Sequence, residues 1–444
     1  MLAITFSKLK IQNLSIVLML LISALNVKAQ TPSKTLVLED AIQKALQENR
    51  QIAIAKNDEA IAKSNYTQTS AIWMPQVNLS QVGYSTNNPL NAFGFKLQQA
   101  SIQQSDFNPS LLNNPAITAN YTSQVTIQQP VINVDMLYMR KAAKQQIELY
   151  SNQSKRTKEA IKMQVIQAYL FLELSHQVSL VTKQSVETIN SIYKFTSDRF
   201  AQGMLQKSDL LNVEVQVKLA EVQYNQSISQ IATISDQLSV LMHAPLGVVY
   251  EIAPYQLTDM EHASMEVSAL RADIKAMNAA INAYDLAIKS TKFAWLPRLN
   301  SFANYQINDK SINLNGPNSY LAGVQLSWDI FKGNQNKNKA NTQILEKHKV
   351  AIQLENQLEK GAEEIRKTKR SIADANYKIE QQKKAVDQAE EALRILQNRY
   401  TQGLVNTNDV LVAQTQLSNQ KLLHAQAIFE QKSSINYLDF LTTK

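Results

Sequence analysis

Between Val131 and Ala244 the sequence has no proline and one glycine, Gly203. Between Asn334 and Lys444 it has no proline and only Gly361 and Gly403. Proline removes a helix hydrogen bond and clashes with the preceding turn, so it ends or kinks helices. Two stretches this long without it read as long helices folded back on themselves at the glycines. Residues 134–200 as one helix would reach ~100 Å at 1.5 Å per residue. The whole chain of 444 residues carries 9 glycines and 10 prolines, well below the ~7% and ~5% of an average protein. It has few turns, and long elements are what remain.

The two long stretches are copies of one plan. Arg199-Phe200-Ala201-Gln202-Gly203-Met204-Leu205 recurs as Arg399-Tyr400-Thr401-Gln402-Gly403-Leu404-Val405, and Ser208-Asp209-Leu210-Leu211 as Asn408-Asp409-Val410-Leu411. A second pair is Trp73-Met74-Pro75 and Trp295-Leu296-Pro297. The second pair is spaced more widely than the first, and the extra residues fall in 85–120. That stretch is rich in Asn, Pro and Ser and reads as a long loop. Each copy begins with a helical stretch (38–72; 266–294) that stops at Trp-x-Pro. Two alternating segments follow, then a very long helix, a glycine turn and a returning helix.

Near each turn the apolar positions step by three and four: Val186, Ile189, Tyr193, Thr196 and Phe200, then Val386, Ala389, Leu393, Leu396 and Tyr400. That is a coiled-coil seam, which must pair with neighbouring helices and leave broad faces wet. In residues 320–331, Tyr320, Ala322, Val324, Leu326, Trp328 and Ile330 share one face of an extended segment. Segment 121–131 alternates likewise, and 76–84 and 298–307 do so more weakly. Apolar-out, polar-in alternation over about ten residues suits an outer-membrane strand as well as a half-buried soluble sheet. Four strands cannot close a membrane barrel, whose smallest form has eight. Two, three or four chains would supply eight, twelve or sixteen.

At the N-terminus Lys8 and Lys10 precede an apolar run from Leu14 to Leu25 and then Val27-Lys28-Ala29. The run is shorter than the ~20 residues that span a bilayer. With its basic flank and small residues it reads as a secretory signal cleaved after Ala29. Without it the formal net charge of +8 falls to 42 − 37 = +5, with no basic block that would suit nucleic acid. The chain has no cysteine, which excludes disulfides, thiolate metal sites and cysteine nucleophiles. His176, His243, His262, His348 and His424 are scattered, none at metal-ligand spacing. No catalytic residue, cofactor or metal site is expected, and the chain is not expected to be an enzyme.

On these residues the chain resembles the TolC family of outer-membrane efflux channels. The likeness rests on the duplicated plan, the Trp-x-Pro strand entries and the twin Arg-(Phe/Tyr)-x-Gln-Gly turns. It covers nearly all of 36–444. The resemblance implies a mostly α fold with a small β part. Duplicated helical hairpins plus four strands per chain would assemble as a trimeric 12-stranded β-barrel on a 12-helix hollow α-barrel. It also implies passive conduction from an inner-membrane pump, through a periplasmic adaptor protein, across the periplasm and the outer membrane of a Gram-negative bacterium. That pump would belong to a tripartite efflux or type I secretion system. The expected organisation is a signal peptide over 1–29 and two structural repeats. The first, 30–250, has strands 76–84 and 121–131 and its hairpin end at 203. The second, 251–444, has strands 298–307 and 320–331 and its hairpin end at 403.

Site expectations follow. Gly203 and Gly403 suit left-handed helix ends, and the resemblance makes Gly203, Met204, Leu205, Gly403, Leu404 and Val405 adaptor-docking tips. Asp209 and Asp409 suit helix N-termini through the helix dipole. In a symmetric oligomer they would also form charged rings, so the resemblance places Phe200, Asp209, Tyr400 and Asp409 at a periplasmic constriction. Phe200 and Tyr400 end the seams, where core knobs are the default reading and a place in the closed constriction is the alternative. Trp73, Trp295 and Trp328 flank strands, where indole either packs or anchors at the membrane interface. Two positions depart from the family's gate: Val412 stands where a second aspartate is usual, and Val405 where a basic residue is. The competing classes are a periplasmic adaptor and a structural coiled-coil protein of the envelope. An adaptor should have one hairpin flanked by glycine-rich β-domains, and a plain coiled coil leaves the strands unexplained.

Overall fold

The computed structural model describes residues 33–254 and 267–443. The expected signal peptide over 1–29 lies outside the described residues. Strand β1 (Ser33–Leu36) and helices α1 (Leu38–Glu48) and α2 (Arg50–Gln68) come first, then β2 (Gln76–Thr86). Short helices α3 (Pro89–Gln98) and α4 (Pro109–Asn113) precede β3 (Thr118–Ile132). The first long hairpin is α5 (Val134–Ala201) and α6 (Lys207–Leu241), followed by β4 (Val249–Ile252). The second series runs α7 (Ala272–Phe293), β5 (Arg298–Asp309), β6 (Asn318–Ser327), α8 (Gln335–Thr401) and α9 (Thr407–Thr442). Among the described residues no helix is long and apolar enough to cross a membrane.

The chain divides into two compact units, and each draws residues from both sequence repeats. One comprises residues 1–50, 160–263 and 367–440; the other comprises 51–159, 264–366 and 441–444. In the first unit, β1 pairs in parallel with β4. The Tyr169 hydroxyl ties this pair to α5, donating to the carbonyls of Leu36 at 3.1 Å and Ala253 at 2.8 Å. Burial pushes the Tyr169 phenol above its ordinary pKa. The hydrophobic core gathers Ile189 and Ile192 from α5, Val213, Val217 and Ala220 from α6, and Leu393, Tyr400, Val410, Leu411 and Leu417 from α8 and α9. Each fully buried aliphatic side chain here contributes about 1.5–3 kcal/mol.

The second unit holds the four-stranded antiparallel sheet, in the order β2-β3-β5-β6. It also holds a polar clamp. Arg271, 1% exposed, meets both carboxylate oxygens of Asp273, Nε to Oδ1 at 2.7 Å and Nη2 to Oδ2 at 2.8 Å. Its Nη1 donates to the Leu441 carbonyl at 3.4 Å, and Gln357 donates to Asp273 Oδ2 at 3.1 Å. Desolvation pushes the Asp273 carboxyl up, but Arg271, more distant Arg156 and the Gln357 hydrogen bond outweigh it and hold it below its ordinary pKa. Gly361 is on α8, where a Cβ would stand 3.3 Å from Arg271 Nη1 and 2.7 Å from Val267 Cγ2. A side chain at 361 would therefore displace the clamp.

Two local expectations need correction. Residues 85–120 are not simply a loop, since they contain α3, α4 and a 3₁₀ turn over Gln104–Phe107. Both α-helices start at Asn-Pro. Asn88 Oδ1 accepts from the Asn91 amide and Asn108 Oδ1 from the Ser110 amide, and each proline takes the first helical position. The segment packs on itself through Lys96 and Asp106 at 2.7 Å and the Phe93–Phe107 edge contact. It joins the strands where Gln99 Nε2 donates to Asn120 Oδ1 at 2.9 Å. The last strand ends at Ser327, not at Phe331, so Trp328 and Ile330 lie beyond it. Ser327 pairs with Arg298. The next partner would be Pro297, which has no N–H to give.

Candidate functional site

The two hairpin ends are built alike. At the end of α5, Gly203 has φ of 76°, its amide donates to the Phe200 carbonyl, and the Met204 amide donates to the Arg199 carbonyl at 2.9 Å. At the end of α8, Gly403 has φ of 75°, and the Leu404 amide donates to the Arg399 carbonyl at 2.9 Å. Each glycine is a left-handed cap that satisfies the last helix carbonyls. Each returning helix then opens with its aspartate reaching back. Asp209 Oδ2 accepts from the Gln206 amide and Asp409 Oδ2 from the Asn406 amide, both at 3.3 Å. The caps project Met204 and Leu404 outward, 66% and 62% exposed, while Leu205 and Val405 are half-buried.

The ends differ inside. Tyr400 is buried. Its hydroxyl lies 2.8 Å from Thr196 Oγ1 and 2.9 Å from Thr407 Oγ1. Thr196 spends its own proton on the Ile192 carbonyl at 2.7 Å. Tyr400 therefore donates to Thr196 and accepts from Thr407, a chain of three hydroxyls ending on a backbone carbonyl. Phe195 packs on the Tyr400 ring at 5.0 Å, and Arg199 lies over Phe195 at 4.6 Å. Arg199 Nη2 also donates to the Thr401 carbonyl at 2.9 Å, so the first hairpin caps the second. Phe200, the counterpart of Tyr400 in the repeat, is 36% exposed rather than a core knob. Val412 is exposed, one turn beyond Asp409. The heptad pattern marks Thr196 and Tyr400. It passes over Arg199 and Thr407, whose partners lie across a turn or on another helix.

The sheet has two unlike faces. Residues paired across strands share a side, so one side carries the rows Val77–Ile127–Ala303–Ala322 and Leu79–Val125–Tyr305–Tyr320. Val77, Leu79, Ile127, Tyr305 and Tyr320 are exposed on it. The other side carries Gln76–Gln128–Phe302–Gly323, Asn78–Thr126–Asn304–Leu321 and Ser80–Gln124–Gln306–Ser319. At its far end Asn120, Thr122 and Asn308 form a buried amide and hydroxyl network. Within the four strands the charged residues are Arg298 and Asp309, one at each end of β5. Trp73, Trp295 and Trp328 are each about half exposed beside the strand ends. The Trp328 indole N–H donates to the Trp295 carbonyl at 2.8 Å, with the rings 6.4 Å apart.

An exposed apolar sheet face opposite a polar one, on a chain that also carries two long helical hairpins, is what a strand-contributing subunit of a membrane channel requires. The outer membrane efflux protein family model matches residues 41–242 and 264–443, and the chain belongs to that family. It is an outer-membrane efflux channel protein. Among curated proteins it is 21% identical over 412 residues to the toluene efflux pump outer membrane protein TtgC of Pseudomonas putida. That match covers 90% of this chain and 81% of TtgC. The antibiotic efflux pump outer membrane protein ArpC of Pseudomonas putida matches to the same extent. Among solved structures it shares its fold with the Campylobacter jejuni CmeC outer membrane channel. The TM-score is 0.79 at 15% identity, covering 91% of this chain and 85% of that one. The Vibrio cholerae outer membrane protein VceC gives a TM-score of 0.76 at 18% identity, covering 91% and 95%.

Proposed function

We propose that three copies of this chain close a twelve-stranded barrel in the outer membrane. The hairpins of the three copies form the periplasmic conduit of a tripartite efflux or type I secretion system. The observation that carries this reading is the four-stranded sheet with β2 and β6 each paired on one side only among the described residues. An apolar open sheet cannot rest in a bilayer, because an unpaired strand edge has no water to satisfy it. Four strands per chain make three copies sufficient for an even-numbered barrel. The two repeats, 30–250 and 251–444, would contribute two strands and one hairpin each, and the three tryptophans would sit at the membrane interface.

Solutes pass through passively, and the energy comes from an inner-membrane pump. The exposed Met204 and Leu404, held out by Gly203 and Gly403 beside Leu205 and Val405, offer contacts to a periplasmic adaptor. Phe200, Asp209 and Asp409 would line the narrow end, with Tyr400 positioning them from the core. Opening would separate neighbouring hairpin ends. The test is the mass of the detergent-extracted complex, corrected for bound detergent: three chains are expected, and a monomer free of detergent would overturn the reading.

A further inference from the structure

The segment joining β2 to β3 rests on the polar side of the sheet. Tyr84 pairs across from Asn120, and Asn120 alternates with Thr122 and Gln124, so all four share that side. The Phe95 ring of α3 packs 5.7 Å from the Tyr84 ring. Gln99, at the end of α3, donates from Nε2 to the Ala119 carbonyl at 2.7 Å and to Asn120 Oδ1 at 2.9 Å. Asn120 is buried and donates in turn to Asn308 Oδ1 at 3.1 Å. Helix α3 is thus pinned to the polar face at both an aromatic and an amide contact.

Helical spacing settles what the rest of α3 presents. Ala92, Phe95 and Gln99 follow one another at three and four residues and form the face on the sheet, with Ala92 1% exposed. Leu90, Gly94 and Leu97 are spaced at four and three residues on the opposite face. Leu90 is 81% and Leu97 56% exposed, and a Cβ at Gly94 would meet nothing within 4 Å. An apolar strip on a helix of 10 residues is therefore held away from the sheet, uncovered by the described residues of its own chain.

Size decides what covers it. In the barrel proposed above, on which this inference rests, the apolar face meets lipid and the polar face lines the lumen. β3 starts at Thr118 beside α3 and runs on into α5, so α3 stands at the strand end remote from the hairpins, inside the outer mouth. Twelve strands about 4.8 Å apart and tilted by about 40° close at a backbone radius of about 12 Å. A helix with its side chains is about 10–12 Å thick. One helix on the wall reaches close to the axis, and three cannot avoid one another. We propose that the Leu90–Gly94–Leu97 faces of three copies meet on the channel axis and close the outer mouth with an apolar seal. Such a seal holds back water and ions, and cargo arriving from within parts the three helices.

The chain has no cysteine, so single cysteines report without background. The test places Leu97→Cys and, separately, Leu90→Cys in the full-length protein and treats the purified oligomer with a short, reducible bismaleimide. Denaturing gels are expected to show two joined chains, about tenfold more than from Leu79→Cys on the lipid-facing rows, where copies of one residue stand a third of the barrel apart. Both leucines are exposed, so the variants should fold, and oligomer mass checks each. Joining Leu97→Cys in intact cells is expected to cut export about tenfold, with recovery on reduction. A trimer that joins at neither position, or that exports normally once joined, would overturn the proposal and leave the channel reading standing. A bimane on Leu97→Cys quenched by a lipid-borne nitroxide in proteoliposomes would put the strip against the bilayer and overturn it as well. A detergent-free monomer would remove both readings together.

Discussion

At the residue scale, the hydroxyl chain through Tyr400 is the most exacting feature of the hairpin ends. Tyr400→Phe keeps the ring on Phe195 but leaves buried Thr196 and Thr407 without their shared partner. The expected cost is about 1–2 kcal/mol, read as faster amide hydrogen exchange over 396–410 with little change elsewhere. The Arg271 clamp makes a pH prediction. The Asp273 pKa is depressed in the folded protein. Its contribution is therefore complete above the unfolded value near 3.9 and is lost as pH falls through the lower folded value. Thermal melts of wild type and Asp273→Asn should differ at pH 7, begin to approach one another below about pH 4 and meet only once the pH is below the lowered folded value. Removing Arg271 leaves the partly buried Asp273 carboxylate with only the Gln357 hydrogen bond and the more distant Arg156, and should be the harsher change, about 1–3 kcal/mol.

At the element scale, the two glycine turns look interchangeable in sequence and are not. Both hold φ near 75°, so alanine at either costs about 1–2 kcal/mol in left-handed strain. A Cβ at 203 meets open space, whereas one at 403 comes 3.3 Å from Arg199 Nη1. Gly403→Ala is expected to lower the melting temperature more than Gly203→Ala, and the gap should close in an Arg199→Ala background. The strand ends carry a related lesson in legibility. Alternation alone extends the last strand to Phe331. The proline opposite Trp328 decides its end, and in sequence that proline reads only as a helix stop. Asn88-Pro89 and Asn108-Pro109 are visible as turn signals, yet the same dipeptides are helix starts. Choosing between them needs the apolar contacts of Phe93 and Phe107 that the sequence does not place. The pairing of β1 with β4 is beyond reach, since four residues carry too little periodicity. The long helices, the four sheet strands and the hairpin caps are legible because uninterrupted period and fixed glycine spacing are local properties. The Arg199 and Thr407 contacts are not local, and no spacing announces them.

At the scale of the whole molecule, the absence of cysteine makes a clean background for locking the proposed trimer. Paired cysteines introduced at Met204 and Leu404, which oxidise between neighbouring copies, are expected to stop export, with recovery on reduction. Normal export from a fully cross-linked channel would rule out separation of the hairpin ends as the opening step.

The two compact units interleave the sequence repeats, and this has a consequence for how the protein is made. β3 pairs with β5 across an interval in which α5, α6 and α7 all intervene. A nascent chain that has emerged only as far as Leu241 possesses a complete first hairpin but half a sheet, with its apolar rows unpartnered. Distant pairings of this kind form late, and the intermediate is prone to aggregate. The first half of the chain is therefore expected to stay aggregation-prone until β5 is available to pair with β3. Residues 30–250 expressed alone should be cleared by envelope proteases rather than accumulate, detectable as a short half-life in pulse-chase. The repeat visible in sequence is thus not the unit of folding, because the sheet closes only when strands from both halves are present.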